Sequence, residues 1–97
     1  MVFFTYIVAS RRNGTLYTGS TDSLIKRINE HRSGRYGGFT SKHGVAILVW
    51  FERHETRNAA FIRERQIKEW KRVWKLELIE RENPGWIDLF ETFGLPD

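Results

Sequence analysis

The apolar positions of this chain change period from two towards 3.6 several times, and those changes predict its elements. Phe3 to Ser10 is apolar and rich in β-formers, and Thr15 to Gly19 is a second short run of the same kind. Between them stands Arg11-Arg12-Asn13-Gly14, whose Asn-Gly pair supplies the positive φ of a hairpin turn. Thr21-Asp22-Ser23 offers N-cap oxygens ahead of Leu24, Ile25 and Ile28, so a helix is expected from about Asp22 to Arg32. Val45 to Phe51 is a continuous β-branched and aromatic run that reads as a strand covered on both faces and is expected to be the central one. Thr56 predicts a cap for a helix from Arg57 to Glu69 or Trp70. A further helix, Arg72 to Glu82, stops at Asn83-Pro84-Gly85. A short helix is expected near Trp86 to Phe93, and Ser33 to Lys42, with three glycines, reads as a loop and the most mobile stretch.

The order predicts an α+β fold, a small three-stranded sheet with helices packed on it. Trp74, Leu76, Leu78, Ile79, Trp86, Leu89 and Phe90 are expected to be core and helix-packing residues. At 97 residues the chain is expected to form one domain, residues 1–97. The absence of cysteine excludes thiolate catalysis, disulfides and cysteine metal sites, and makes a reducing compartment, the cytoplasm, the expectation. The start, Met1 to Val8, has no basic leader and too short an apolar run for a membrane span, so no membrane association is expected.

Charge is distributed unevenly. Residues 1–50 hold 7 Lys and Arg against 2 Asp and Glu, whereas residues 51–97 hold 9 against 10. A basic half-domain suits a polyanion, and its candidate nucleic-acid contacts are Arg11, Arg12, Lys26, Arg27, Arg32, Arg35 and Lys42.

Cross-strand arithmetic relates the two hairpin tyrosines. A four-residue loop makes the numbers of facing residues sum to 25, which puts Tyr17 opposite Val8 and on the face of Tyr6. Sums of 23 or 27 also keep the phenols on one face, and sums of 24 or 26 separate them. Gly19, at the end of the second strand, admits close approach by a neighbour or serves as a plain terminator. Arg27 and His31 are four apart on one helix face with Glu30, either as a phosphate-binding arginine beside a titratable imidazole or as a solvated basic face. Glu64 lies beside an apolar stripe of Ala60, Phe61 and Ile67, where its carboxylate needs a partner. A hard cation such as Mg²⁺ meets that need, and so does Lys68 one turn on. His43 and His54 are too scattered for a metal spacing. Ser23-x-x-Lys26 lacks its companion acyl-transfer motifs, and the Gly34/Gly37/Gly38 segment is not a phosphate loop.

Tyr6, Leu16-Tyr17-Thr18-Gly19-Ser20-Thr21-Asp22, Leu24-x-x-Arg27-Ile28-x-x-His31 and Glu64 within Ala59 to Lys68 together resemble the GIY-YIG nuclease superfamily over about residues 3 to 80. The later stretch, from Ile67-Lys68-Glu69-Trp70 through Asn83-Pro84-x-Trp86-x-Asp88-Leu89, is similar to its small stand-alone bacterial members, leaving 81–97 as a helical extension. The resemblance implies a three-stranded antiparallel sheet flanked by helices. It also implies hydrolysis of DNA phosphodiester bonds with Mg²⁺ or Mn²⁺. In that pattern Glu64 holds the metal, Arg27 steadies the developing phosphorane charge, and Tyr6 and Tyr17 line the nucleophile side. Tyr17 is the preferred general base, with His31 as a relay. Phe4-Thr5 replace the first triplet's glycine and isoleucine, Ser20 stands where many relatives carry lysine, and Asn83 is a candidate for the asparagine found late in some relatives' sites. With no DNA-recognition segment evident, the expected substrate is branched, nicked or damaged DNA, with specificity set by structure or by a protein partner. Two other readings stay open: a catalytically silent nucleic-acid-binding module, and a partner-dependent subunit docking through exposed tryptophans.

Overall fold

The computed structural model describes residues 1–33 and 47–93. Strand β1 (Phe3–Ala9) and β2 (Leu16–Thr21) are followed by α1 (Leu24–Arg32), β3 (Ile47–His54), α2 (Arg57–Glu69), α3 (Arg72–Glu82) and α4 (Leu89–Phe93). Tyr36, Phe39, His43, Val45 and Ala46, with the rest of the expected loop beyond Ser33, lie outside the described residues. Among the described residues no helix is long and apolar enough to cross a membrane.

The sheet is antiparallel in the order β2-β1-β3, an α+β architecture. The central strand is therefore β1, and β3 is an edge, contrary to the sequence expectation. A continuous apolar run reports cover above and below a strand, which helices supply equally well at an edge. The β3 run is also lengthened by a bulge. Ile7 pairs with Trp50 and Val8 with Leu48, so Val49 is the extra residue and packs with Trp50 into one core.

Two cores lie on the two faces, set by the alternation of β1. Ile7 and Ala9 pack with Val49, Trp50, Ile67 of α2, Leu78 and Ile79 of α3, and Trp86. Phe4, Tyr6 and Val8 pack with Leu48 and with Leu24 and Ile28 of α1, joined by Leu89 and Phe90. Each fully buried large side chain contributes about 1.5–3 kcal/mol relative to exposure. Trp74 is the exception among the expected core residues, 49 % exposed on α3. Leu78 and Ile79 already turn that helix's apolar face inward.

The hairpin loop is Arg11 to Gly14, closed by Gly14 N–H donating to the Arg11 carbonyl at 2.9 Å. Asn13 carries the positive φ, 58°, while Gly14 is required for space, because a Cβ there would lie 2.3 Å from Ser10 Oγ. Helix α1 begins at Leu24, two residues later than expected, and none of the three candidate oxygens caps it. Ser23 occupies the cap position without a side-chain bond, because Thr21 Oγ1 accepts from Ser23 N–H at 3.0 Å and Asp22 turns away to Arg57. Thr56 caps α2 as expected, accepting from Ala59 N–H at 3.0 Å. The last helix is shorter than expected because residues 83–88 are tied down as a turn. The Asn83 amide donates to the carbonyls of Val49 and Ile87 and accepts from Ile87 N–H. Asn83 is thus a buried clamp between that turn and β3.

Candidate active site

The register of the hairpin is the four-residue-loop solution: Val8 faces Tyr17 and Tyr6 faces Gly19. Facing residues share a side of the sheet, so both phenols point towards α1. Their ring centroids are 6.4 Å apart. Because Gly19 has no side chain, the buried Tyr6 ring lies directly across it. A Cβ on Gly19 would come within 2.5 Å of Tyr6 Oη and 2.7 Å of Cζ. The glycine leaves room for this phenol to lie against the edge strand, where its buried hydroxyl meets His31.

Helix α1 sets His31 over both rings, at 5.8 Å from Tyr6 and an edge-on 4.9 Å from Tyr17. His31 Nε2 and Tyr6 Oη are hydrogen-bonded at 3.0 Å. The imidazole is fully buried, and that burial, helped by the Arg27 guanidinium and opposed by Glu30, pulls its pKa down to about 4. His31 is neutral at pH 7. Tyr6 is pushed well above the ordinary phenol range, first by burial and then by Tyr17, with Glu64 and Glu30 adding to the rise and Arg27 opposing it. Tyr6 therefore keeps its proton, and its hydroxyl stays hydrogen-bonded to a neutral imidazole.

Glu64 reaches the same edge from the other face. Thr5 and Ser20 face each other on the α2 side of the sheet, where Thr5 Oγ1 donates to the Ala60 carbonyl at 2.8 Å and holds α2 against β1. Ser20 Oγ donates to Glu64 Oε1 at 2.6 Å, and Lys68 Nζ meets Glu64 Oε2 at 2.6 Å. The same ammonium stands 5.9 Å from the centroid of Tyr17, so Lys68 links the carboxylate to the tyrosine side around the free edge of β2. The Glu64 side chain is 12 % exposed. Its oxygens thus face the rim of the sheet instead of bulk water. Arg27, on α1 with Glu30 at 3.7 Å, carries its charge close enough to act on both His31 and Tyr6.

Tyr6, Tyr17 and His31 are therefore in one cluster, and Arg27 and Glu64 approach it from α1 and α2. Arg11 and Arg12 are exposed at the hairpin turn and Lys26 on the outside of α1. Arg32 is engaged within the protein, bonded to Asp88 and lying over the Phe90 ring at 4.4 Å. Arg35 and Lys42 lie outside the described residues. Sequence reasoning missed Ser20 as a partner of Glu64, since nothing local connects residues 44 apart. The i, i+4 spacing did expose Lys68.

The close approach at Gly19 gives a direct test. Gly19→Ala is expected to drive Tyr6 off its position, destabilising the fold by about 1–3 kcal/mol through overpacking and breaking the bond to His31. Thermal melting reads the first effect and the His31 ring shifts the second. A variant that melts with the wild type and keeps the His31 shifts overturns the close approach.

Residues 2–77 match the model of the GIY-YIG catalytic domain. A UPF0213 protein of Syntrophus aciditrophicus is 42% identical over 71 residues, covering 72% of this chain and 80% of that one. Another, from Haloquadratum walsbyi, is 38% identical over 77 residues, covering 79% and 85%. The solution NMR structure of a UPF0213 protein from Bacillus halodurans superposes with a TM-score of 0.56 at 27% identity, covering 89% of this chain and 90% of that one.

Proposed function

The chain belongs to the GIY-YIG catalytic-domain family, whose activity is of nuclease type on nucleic acid, and on that premise we propose that it hydrolyses DNA phosphodiester bonds with a divalent cation, Mg²⁺ or Mn²⁺. The observation that carries this reading is the cluster of the His31-bonded Tyr6 with Tyr17, with Lys68 joining it to the carboxylate of Glu64 at the edge of β2 and the charge of Arg27 acting on it from α1.

The donors present fit such a cation. Glu64 and Ser20 offer one carboxylate and one hydroxyl, hard oxygen ligands, and among the described residues no group of three or more acids and histidines forms a cage. Mg²⁺ suits one protein carboxylate, with waters and substrate phosphate completing its shell. When bound, the cation supplies neutralisation of phosphate charge. Lys68 has to leave Glu64 Oε2 for that oxygen to become a ligand.

The chain's own groups do the rest. Arg27 neutralises charge that develops on the non-bridging oxygens. Tyr6, holding its proton and bonded to His31, is held in one position and fixes the shape of the cluster. Tyr17 is less buried than Tyr6 and is the phenol that meets the attacking water, orienting it through a hydrogen bond. His31, neutral, is the relay within the cluster. A chain separated from its complement enters an edge site more readily than an intact duplex, so branched, nicked or damaged DNA is the proposed substrate, with a protein partner able to add specificity.

A nicking assay on branched, flapped and plain duplex DNA tests the proposal. Cleavage of the open forms is expected with Mg²⁺ or Mn²⁺, and none with EDTA. Cleavage that survives chelation, or cleavage of no form, sinks it. Because both Glu64 oxygens are already engaged, salt-dependent binding without hydrolysis is the outcome that supports a silent binding module instead.

A further inference from the structure

Helix α2 carries an arrangement that the hydrolytic site does not use. Arg57, Phe61 and Arg65 follow one another at intervals of four, which stacks them in one column on the helix surface. Phe61 is 45 % exposed, although Ala60 and Ile67 of the same helix are buried. The Arg65 guanidinium lies 5.6 Å from the centroid of its ring. Ser20, Arg57, Asn58 and Phe61 together line a surface pocket of about 440 Å³.

We propose that this pocket receives one nucleobase of the strand whose phosphate lies at Glu64. The inference rests on the nuclease reading and extends it to how the substrate strand is held. Four observations favour a base over another apolar group. Phe61 presents an exposed aromatic ring, and stacking on such rings is how proteins hold unpaired bases. The ring is flanked by guanidiniums, which complement the phosphates on either side of a base; Arg57 is kept in place by Asp22 at 3.0 Å and by the Phe3 ring at 4.9 Å. Asn58 is exposed and brings both a donor and an acceptor to the pocket wall, as a base edge requires. Finally, Ser20 belongs to the pocket and to Glu64 at once. Phe61 and Glu64 are three residues apart, a rise of roughly 4.5 Å, which is on the scale of one nucleotide step. A base in this pocket is out of its stack, so the site selects a splayed or unpaired nucleotide beside the bond to be cut.

The test uses the full chain and two probes, an eight-nucleotide single strand of deoxythymidine and a strand of the same length in which every residue is an abasic tetrahydrofuran. The thymidine strand is expected to bind more tightly and to shift the amides of Ser20, Asn58 and Phe61. Phe61→Ala is expected to weaken that binding by about 5- to 100-fold, Phe61→Trp to preserve it, and neither to alter binding of the abasic strand. Equal affinity of the wild type for both strands, an unaffected Phe61→Ala, or no binding of either strand overturns the pocket. Loss of base discrimination with cleavage intact refutes the pocket alone. Base discrimination in a protein that cleaves nothing refutes the nuclease reading alone.

Discussion

Glu64→Ala is expected to lower DNA nicking by at least about 10³-fold while leaving the protein folded. Removing one preorganised group from a developing charge costs about 10²–10³ in rate, and the carboxylate proposed to hold the cation contributes more than a single hydrogen bond. The structural cost is small by comparison. Among the described residues Glu64 is bonded to the Ser20 hydroxyl and to a half-exposed Lys68, a pair of interactions together worth about 1–2 kcal/mol. Glu64→Gln separates charge from shape. It keeps an acceptor for Ser20 and is expected to be as inactive as the alanine variant. Binding of Mn²⁺, followed by its paramagnetic broadening of the Ser20 and Glu64 amides, is expected to vanish in both. Nicking within tenfold of the wild type in either variant removes Glu64 from the reaction.

Much of the scaffold behind that prediction was legible in the sequence because it is fixed by local chemistry. The Arg11 to Gly14 loop sets the pairing sum of 25, and with it the common face of Tyr6 and Tyr17. The ends of α2 and α3 follow from Thr56 and from Asn83-Pro84, whose effects act within one turn. What local chemistry cannot state is which neighbour covers a strand. Phe3–Ala9, apart from Thr5, and the first five residues of Ile47–His54 are both apolar runs, and only the pairing of β2 with β1 makes the first strand central and the second an edge. The cap of α1 failed for a related reason. Thr21, Asp22 and Ser23 all had the right chemistry, but Asp22 found Arg57, 35 residues away.

The same distinction runs through the site. Spacing showed Arg27 and His31 on one face and Glu64 beside an apolar stripe, yet gave two meanings to each. Tertiary structure decides for His31, which is enclosed between two tyrosines instead of solvated. For Glu64 it shows the lysine reading, with Lys68 on one oxygen and the Ser20 hydroxyl on the other. The edge location of β2 is what makes this compatible with a sheet whose faces alternate. Tyr6 and Glu64 belong to opposite faces; Gly19 leaves room for the phenol against the edge strand, and Ser20 holds the carboxylate at that strand's rim.

Acidification is expected to destabilise the protein between pH 6.5 and about 4, and His31 is the cause. Its folded-state pKa is lowered to about 4 from the ordinary 6.5, so in that window the unfolded chain binds a proton that the folded chain refuses. Above pH 6.5 the ring is neutral in both states and its contribution to stability is complete. As pH falls through the window that contribution is lost, by about 3 kcal/mol in all, and below about pH 4 no more is lost from this group. Charges facing the ring act in both senses, Arg27 disfavouring protonation and Glu30 favouring it, with the phenols of Tyr6 and Tyr17 packed against it. His31→Gln removes the titration while retaining a polar partner for Tyr6. Urea denaturation at pH 7.5, 6, 5 and 4 is expected to show a steeper fall for the wild type than for the variant, since the carboxylates common to both cancel in the difference. Ring carbon shifts of His31 should titrate near pH 4. Equal slopes, or a titration near 6.5, would mean that the imidazole is open to water and that Tyr6 loses its neutral partner within the physiological range. In that case the phenol would not be held in the fixed position that the proposed hydrolysis requires.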